Sequence, residues 1–305
     1  MAPRKFLAIG ECMIEMAQAS GLWKLGVAGD TLNTAWYFRR STAPHDWSVD
    51  YFTRLGTDRY SDRIAGFLDA AGIGTSWIAR DPVRQPGLYT IELENGERSF
   101  TYWRGQSAAR LLADDEQLLG DAIAAADTVY FSGITLAILA PDRRDALLRL
   151  VIEARRAGSA TVFDPNIRPR MWESAAELRQ CITQAAAVSS IALPSFGDDR
   201  SLFGDATPRD CARRYTEAGC DEVVVKNAGA EMCVAVNGVT KEIEELERVE
   251  PVDTTGAGDS FNGAYLARRA AGDEPRAAAI FAHALASEVV RHHGALVETA
   301  STGIR

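Results

Sequence analysis

Short runs of β-branched and aromatic residues alternate with helical patterns along most of the chain, and this alternation limits the fold more than any other feature. Strands are expected over residues 6–9, 49–53, 128–132, 161–164, 191–194, 222–226 and 232–236. Helices are expected over 31–40, 59–71, 142–157, 175–186, 209–218, 260–271 and 275–291. In the 142–157 segment Leu147, Leu148, Val151 and Ala154 fall on one face, the spacing of a helix packed on one side. Strands alternating with helices of this length predict an α/β fold, a doubly wound and mostly parallel sheet. A chain of 305 residues has room for one large domain of that kind with a small appended lobe.

Residues 87–104 break the pattern and read as a β-hairpin. Asn95-Gly96 is a two-residue turn signal, because both positions tolerate positive φ. That turn sets a register in which Glu94 faces Glu97, Ile91 faces Phe100, Tyr89 faces Tyr102 and Gly87 faces Arg104. Alternation then gathers Tyr89, Ile91, Phe100, Tyr102 and Arg104 on one face. Two phenols and a guanidinium suit a polyhydroxy acid; on pattern alone an aromatic packing face on a solvated hairpin fits slightly better. Residues 13–29 are irregular too, and could add one or two strands to form a small antiparallel β lid. The organisation expected is a core of residues 1–12, 30–85 and 106–305, with 13–29 and 86–105 inserted as the lid.

The net charge of −9 argues against nucleic acid or a membrane surface as partner. No apolar run reaches the length of a membrane span. Five dispersed cysteines without a Cys-x-x-Cys pair, and a start that runs straight into an expected strand, fit a reducing cytoplasm. The four histidines show no metal-ligand spacing with them.

The chemistry concentrates near the C-terminal end. Gly256-Ala257-Gly258 makes a tight turn, and a helix starts at Asp259 or Ser260. Free backbone N–H groups at such a start attract an anion, and glycine lets a phosphate come close. Asp259 beside that cradle could take a proton from an attacking hydroxyl. Taken alone, the same turn could be no more than a capped helix start. Neither Gly-x-x-x-x-Gly-Lys-Ser/Thr nor an N-terminal Gly-x-Gly-x-x-Gly occurs.

The run from Asp253 to Phe261, DTTGAGDSF, resembles the C-terminal signature of the ribokinase-like (PfkB) sugar kinases. Residues 10–15 (GECMIE), 28–34 (AGDTLNT), 102–104 (YWR), 132–139 (SGITLAIL), 163–172 (FDPNIRPRMW) and 223–226 (VVVK) continue the series. They are similar to the branch of bacterial 2-keto-3-deoxygluconate kinases, in order from residue 9 to about residue 295. The resemblance implies a Rossmann-like core with a β lid, and ATP with Mg²⁺, a monovalent cation being a further candidate. It implies transfer to the C6 hydroxyl of 2-keto-3-deoxygluconate; a fructokinase-like kinase and a non-catalytic sugar-acid binder are the alternatives. By position, Asp259 would be the base, and Gly256, Ala257 and Gly258 the anion hole. Gly29, Asp30, Asn33, Tyr89, Tyr102, Arg104, Arg168 and Asp253 would serve the sugar acid. Asn166, Ser195, Lys226, Asn227 and Gly229 would lie near the nucleotide, with Gly256 and Gly258. A homo-oligomer, formed through the lid, is also implied. No residue is assigned to the metal.

Four positions depart from that pattern: Ile167 for tyrosine, Gly256 for a frequent alanine, Asn227-Ala228 for a basic residue and glycine, and Ser195-x-x-Asp198 for Asn-x-x-Glu. Asp164, Ser195, Lys226 and Asp253 each follow an expected strand. Doubly wound sheets bind ligands beyond the strands' carboxyl ends, so one crevice should collect these residues. The two arginines, Arg104 and Arg168, are the candidates for a substrate carboxylate, which a guanidinium can grip with two parallel bonds. Arg170 is expected in a structural ion pair.

Overall fold

A computed structural model describes residues 2–19, 21–94, 97–244 and 246–299. Among the described residues thirteen strands form two sheets. In chain order they are β1 Arg4–Ile9, β2 Met13–Ala19, β3 Leu22–Ala28, β4 Trp47–Gly56, β5 Ile78–Asp81, β6 Leu88–Glu94 and β7 Glu97–Trp103. β8 Thr128–Ser132, β9 Ala160–Asp164, β10 Ile191–Ala192, β11 Glu222–Val225, β12 Met232–Val236 and β13 Val239–Ile243 follow. The large sheet runs β13-β12-β11-β10-β9-β8-β1-β4-β5, parallel from β11 across to β5 and antiparallel at the β11-β12-β13 edge. This is the α/β architecture expected from the alternation of strands and helices.

The period of two decides where the core lies. Leu7 and Ile9 of β1 enter one apolar cluster, while Phe6 and Ala8 enter the other, on the opposite face. β8 divides likewise, with Val129 and Phe131 on one side and Tyr130 on the other. Both faces are covered, so strands of near-continuous hydrophobicity are stable only here.

The small sheet has order β3-β2-β6-β7. Two antiparallel hairpins, β2/β3 and β6/β7, are joined by one parallel pairing between β2 and β6. The β6/β7 register sets Glu94 opposite Glu97, Ile91 opposite Phe100 and Tyr89 opposite Tyr102, as the turn signal requires. Asn95 and Gly96 themselves lie outside the described residues.

Two edge strands escaped the sequence reading, β5 and β13, because an edge strand is half exposed and carries weak alternation. A signal for the second was present. Asn237 and Gly238 both have positive φ (49° and 81°), the same turn chemistry as at Asn95-Gly96. Helices Glu116–Ala124, Gly133–Ile138 and Phe196–Phe203 were also missed, each too short to show a sustained period. No described helix is long and apolar enough to cross a membrane. All five cysteines are free and buried.

Candidate active site

The turn before the helix Ala257–Ala270 is held in a conformation that only glycine adopts freely. Gly256 has φ of 76°, and a Cβ there would stand 2.6 Å from the Ala295 carbonyl oxygen. The helix opens at Ala257 with no side-chain cap, which leaves its first N–H groups available to a ligand. Asp259 falls in this first turn. Its Oδ2 accepts a bond from Asn33 Nδ2 at 2.8 Å, and its carbonyl accepts from the Thr34 hydroxyl at 3.3 Å. Burial pushes the Asp259 carboxyl up to about 8; the Asp30 and Asp164 carboxylates add to the rise, while the Asn33 bond and Lys226 oppose it.

Asp259 faces a cleft of about 510 Å³ between the two sheets. Gly29, Asp30, Asn33, Tyr89, Tyr102, Arg104, Asn166 and Arg168 all line it, so eight expected site residues converge there from distant parts of the chain. Gly29 allows a close approach: a Cβ would lie 2.3 Å from the Glu11 carbonyl oxygen. Asp30 begins the helix Asp30–Arg40 and accepts a bond from Asn166 Nδ2 at 2.8 Å. Asn166, expected near a nucleotide, lines this cleft beside Asp30. Tyr89 stacks on Tyr102 and donates to the Glu15 carboxylate. Burial and that carboxylate hold its phenol well above the usual range.

Two residues without an assigned role turn out to organise this cleft. Glu11, at the carboxyl end of β1, has a fully buried side chain and is ion-paired to Arg104. The pair ties the small sheet to the large one. Asp164, at the end of β9, meets Lys226 Nζ at 3.6 Å and accepts a bond from Asn262 at 2.8 Å. The sequence signal for both was position, since each acidic residue sits at or just beyond a strand's carboxyl end. Arg168 is half exposed, bonds its neighbour's carbonyl (Ile167) and lies 3.7 Å from Asp198. Arg170 makes no ion pair among the described residues, contrary to expectation, because the short Pro169–Met171 turn leaves it exposed.

A second cleft, of about 590 Å³, lies on the other side of the turn. Ser195, Lys226, Asn227 and Gly229 line it, with apolar Met232, Phe261 and Val290 behind them. His283 also lines it, buried and bonded to the Glu247 carbonyl at 2.7 Å. Ser195, Asp198, Lys226, Thr254, Ala257 and Gly258 belong to both clefts and form the seam between them. Burial raises the Asp198 carboxyl, against the pull of Arg168.

Asp253 is placed differently from expectation. The described residues before it, 246–252, are irregular rather than a strand. Its carboxylate accepts from Thr255 N at 3.0 Å and Gly294 N at 2.6 Å, bracing the turn, and it is not part of the described cleft wall.

Known proteins resemble this chain in sequence and in fold. The family described as "pfkB family carbohydrate kinase" matches residues 4–301. A 2-dehydro-3-deoxygluconokinase of Escherichia coli strain K12 is 40% identical, covering 96% of this chain and 97% of its own. One from Dickeya dadantii is 38% identical over 97% and 98%. Among solved structures, an E. coli protein described as a ribokinase II, in complex with ATP and Mg²⁺, superposes with a TM-score of 0.81 at 25% identity, over 96% of this chain and 94% of that one.

Proposed function

The chain belongs to the pfkB family of carbohydrate kinases, and from that premise we propose that it transfers the γ-phosphoryl group of ATP to the C6 hydroxyl of 2-keto-3-deoxygluconate, with Asp259 as general base. The observation that carries this reading is the seam: one glycine turn separates a polar cleft lined by Asp259 from a second cleft with an apolar wall. A sugar acid in the first and a nucleotide in the second would place hydroxyl and γ-phosphoryl group on either side of Gly256–Gly258. The relatives named 2-dehydro-3-deoxygluconokinase at 38–40% identity favour this substrate.

Asp259 takes the hydroxyl proton as the oxygen attacks, and its raised pKa makes its carboxylate a stronger base than an exposed one. The N–H groups at the start of the helix Ala257–Ala270 face the negative charge of the phosphoryl oxygens, aided by the helix dipole. Asp30, Asn33 and Asn166 offer donors and acceptors to the sugar hydroxyls, and Tyr89 and Tyr102 give it an aromatic wall. Arg104 and Arg168 supply the positive charge for the acid's carboxylate. Ser195 and Asp198 are suited to Mg²⁺ and its phosphate ligands: the Ser195 hydroxyl caps no helix, and the Asp198 carboxylate is partly open at the seam. Mg²⁺ when bound shields the charge between phosphate oxygens.

A second reading, a kinase for a neutral sugar such as fructose, gains support from the Glu11–Arg104 pair. A guanidinium already matched to a buried carboxylate brings less net charge to an incoming one. The two readings separate in one assay of ATP consumption with 2-keto-3-deoxygluconate, gluconate, fructose and ribose. The keto acid should give the highest kcat/KM. Equal or faster turnover of a neutral sugar would refute the acid assignment.

A further inference from the structure

Lys226, expected near the nucleotide, and Asn262, which was given no role, are joined in the structure by a direct hydrogen bond. Lys226 follows β11, is only 8% exposed, and lies in the wall of both clefts. Its ammonium donates to Asn262 Oδ1 at 2.9 Å and lies 3.6 Å from Asp164 Oδ1. Asn262 is fully buried, one turn beyond Asp259 on the same helix, and both its amide hydrogens and its amide oxygen are hydrogen-bonded. Besides accepting from Lys226, it donates to Asp164 at 2.8 Å and to the Tyr130 hydroxyl at 3.0 Å. An ammonium has three donors. Asn262 and Asp164 hold Lys226 from the protein side; Nζ also faces the glycine turn, where a Cβ on Gly258 would stand 3.6 Å from it, and both Lys226 and Gly258 line the two clefts.

We infer that Asn262 is a positioning residue, and that through it Lys226 acts on the phosphoryl group in transit rather than as an anchor for the nucleotide. The inference rests on the kinase reading but not on which sugar is used. As the sugar oxygen forms its bond to phosphorus, the bond to the bridging oxygen breaks and its electron pair stays on ADP. The hydroxyl proton passes to Asp259. Lys226 neither gains nor loses a proton; its charge stabilises the oxygens of the group between the two partners. A lysine that served only the nucleotide would have no reason to line the sugar cleft as well. One helix thus fixes both base and cation, since Asp259 and Asn262 are three residues apart.

The test uses the full-length enzyme and whichever sugar the unaltered protein turns over fastest, so a wrong substrate assignment leaves it intact. Lys226→Met, Lys226→Arg, Asn262→Ala and the double variant Asn262→Ala/Lys226→Met are compared by steady-state kinetics, calorimetric ADP binding and thermal melting. Lys226→Met should lower kcat about 100-fold or more while ADP affinity holds within a few-fold, as expected for a contact made in the transition state. Asn262→Ala should lower kcat roughly tenfold in the same pattern. Added to Lys226→Met it should cost nothing further, because its effect runs through the lysine. Independent, additive losses overturn the proposal, as does a Lys226→Met that keeps kcat and loses ADP binding. If the methionine variant does not fold, Lys226→Arg keeps the buried charge and decides: lowered kcat at unchanged ADP affinity supports the inference, and retained kcat ends it.

Discussion

At Asp259 burial and chemistry are in tension. The carboxyl is pushed to about 8, so ionising it in the folded chain costs free energy that an unfolded chain does not spend. The folded-state pKa lies above the unfolded one. The stabilising difference is therefore fully present below about pH 4 and is lost as pH rises through about 8. Asp259→Asn removes that loss. The variant should melt progressively higher than the parent as pH rises from 5 to 9, by on the order of 2 kcal/mol at the upper end, and a melting series in both proteins checks it. The same substitution should lower kcat about 10²- to 10⁴-fold, the usual worth of a general base. In the parent, kcat/KM should climb tenfold per unit of pH below a limb near 8 and level off above it. A flat profile between pH 6 and 8 would remove Asp259 from the role. The candidacy of Asp259 could be read from the sequence, because glycine spacing and a helix start are local. Its pKa could not, since Asp30 and Asp164 approach only in three dimensions. The Glu11–Arg104 pair was hidden for the same reason: nothing near residue 11 announces a partner at residue 104.

The elements repeat this contrast between local and non-local information. The β6/β7 register was legible because one turn type fixes it, residue by residue. The parallel pairing of β2 with β6 was not, because it joins segments about seventy residues apart and depends on how the two hairpins meet. Long internal strands and helices declared themselves by period, whereas β5, β13 and the short helices after β8 and at Phe196–Phe203 gave too few residues to count. The Gly256 turn is the element where sequence and structure agree most closely. Gly256→Ala forces a side chain into left-handed backbone and against the Ala295 carbonyl. It should destabilise the fold by on the order of 2–4 kcal/mol and depress kcat more than it depresses sugar affinity. Chemical denaturation beside steady-state kinetics measures both. An alanine variant with parental stability and turnover would mean that the turn relaxes without consequence.

Across the whole molecule, the ends of β1, β8, β9, β10 and β11 point to one edge of the large sheet, and both clefts open along it. Topology of that kind is what alternating strands and helices foretell; which wall each residue joins is settled only by packing, as Asn166 and Asp253 demonstrate. The shared seam carries a thermodynamic consequence. Ser195, Asp198, Lys226, Thr254, Ala257 and Gly258 belong to both compartments, so neither ligand can settle without altering the surface offered to the other. Whatever factor the sugar contributes to nucleotide affinity, the nucleotide must return to the sugar in equal measure. Titrating ADP with and without sugar, and sugar with and without ADP, should close this cycle with one coupling constant different from unity. A constant of one would mean that the compartments, though they share a wall, do not communicate.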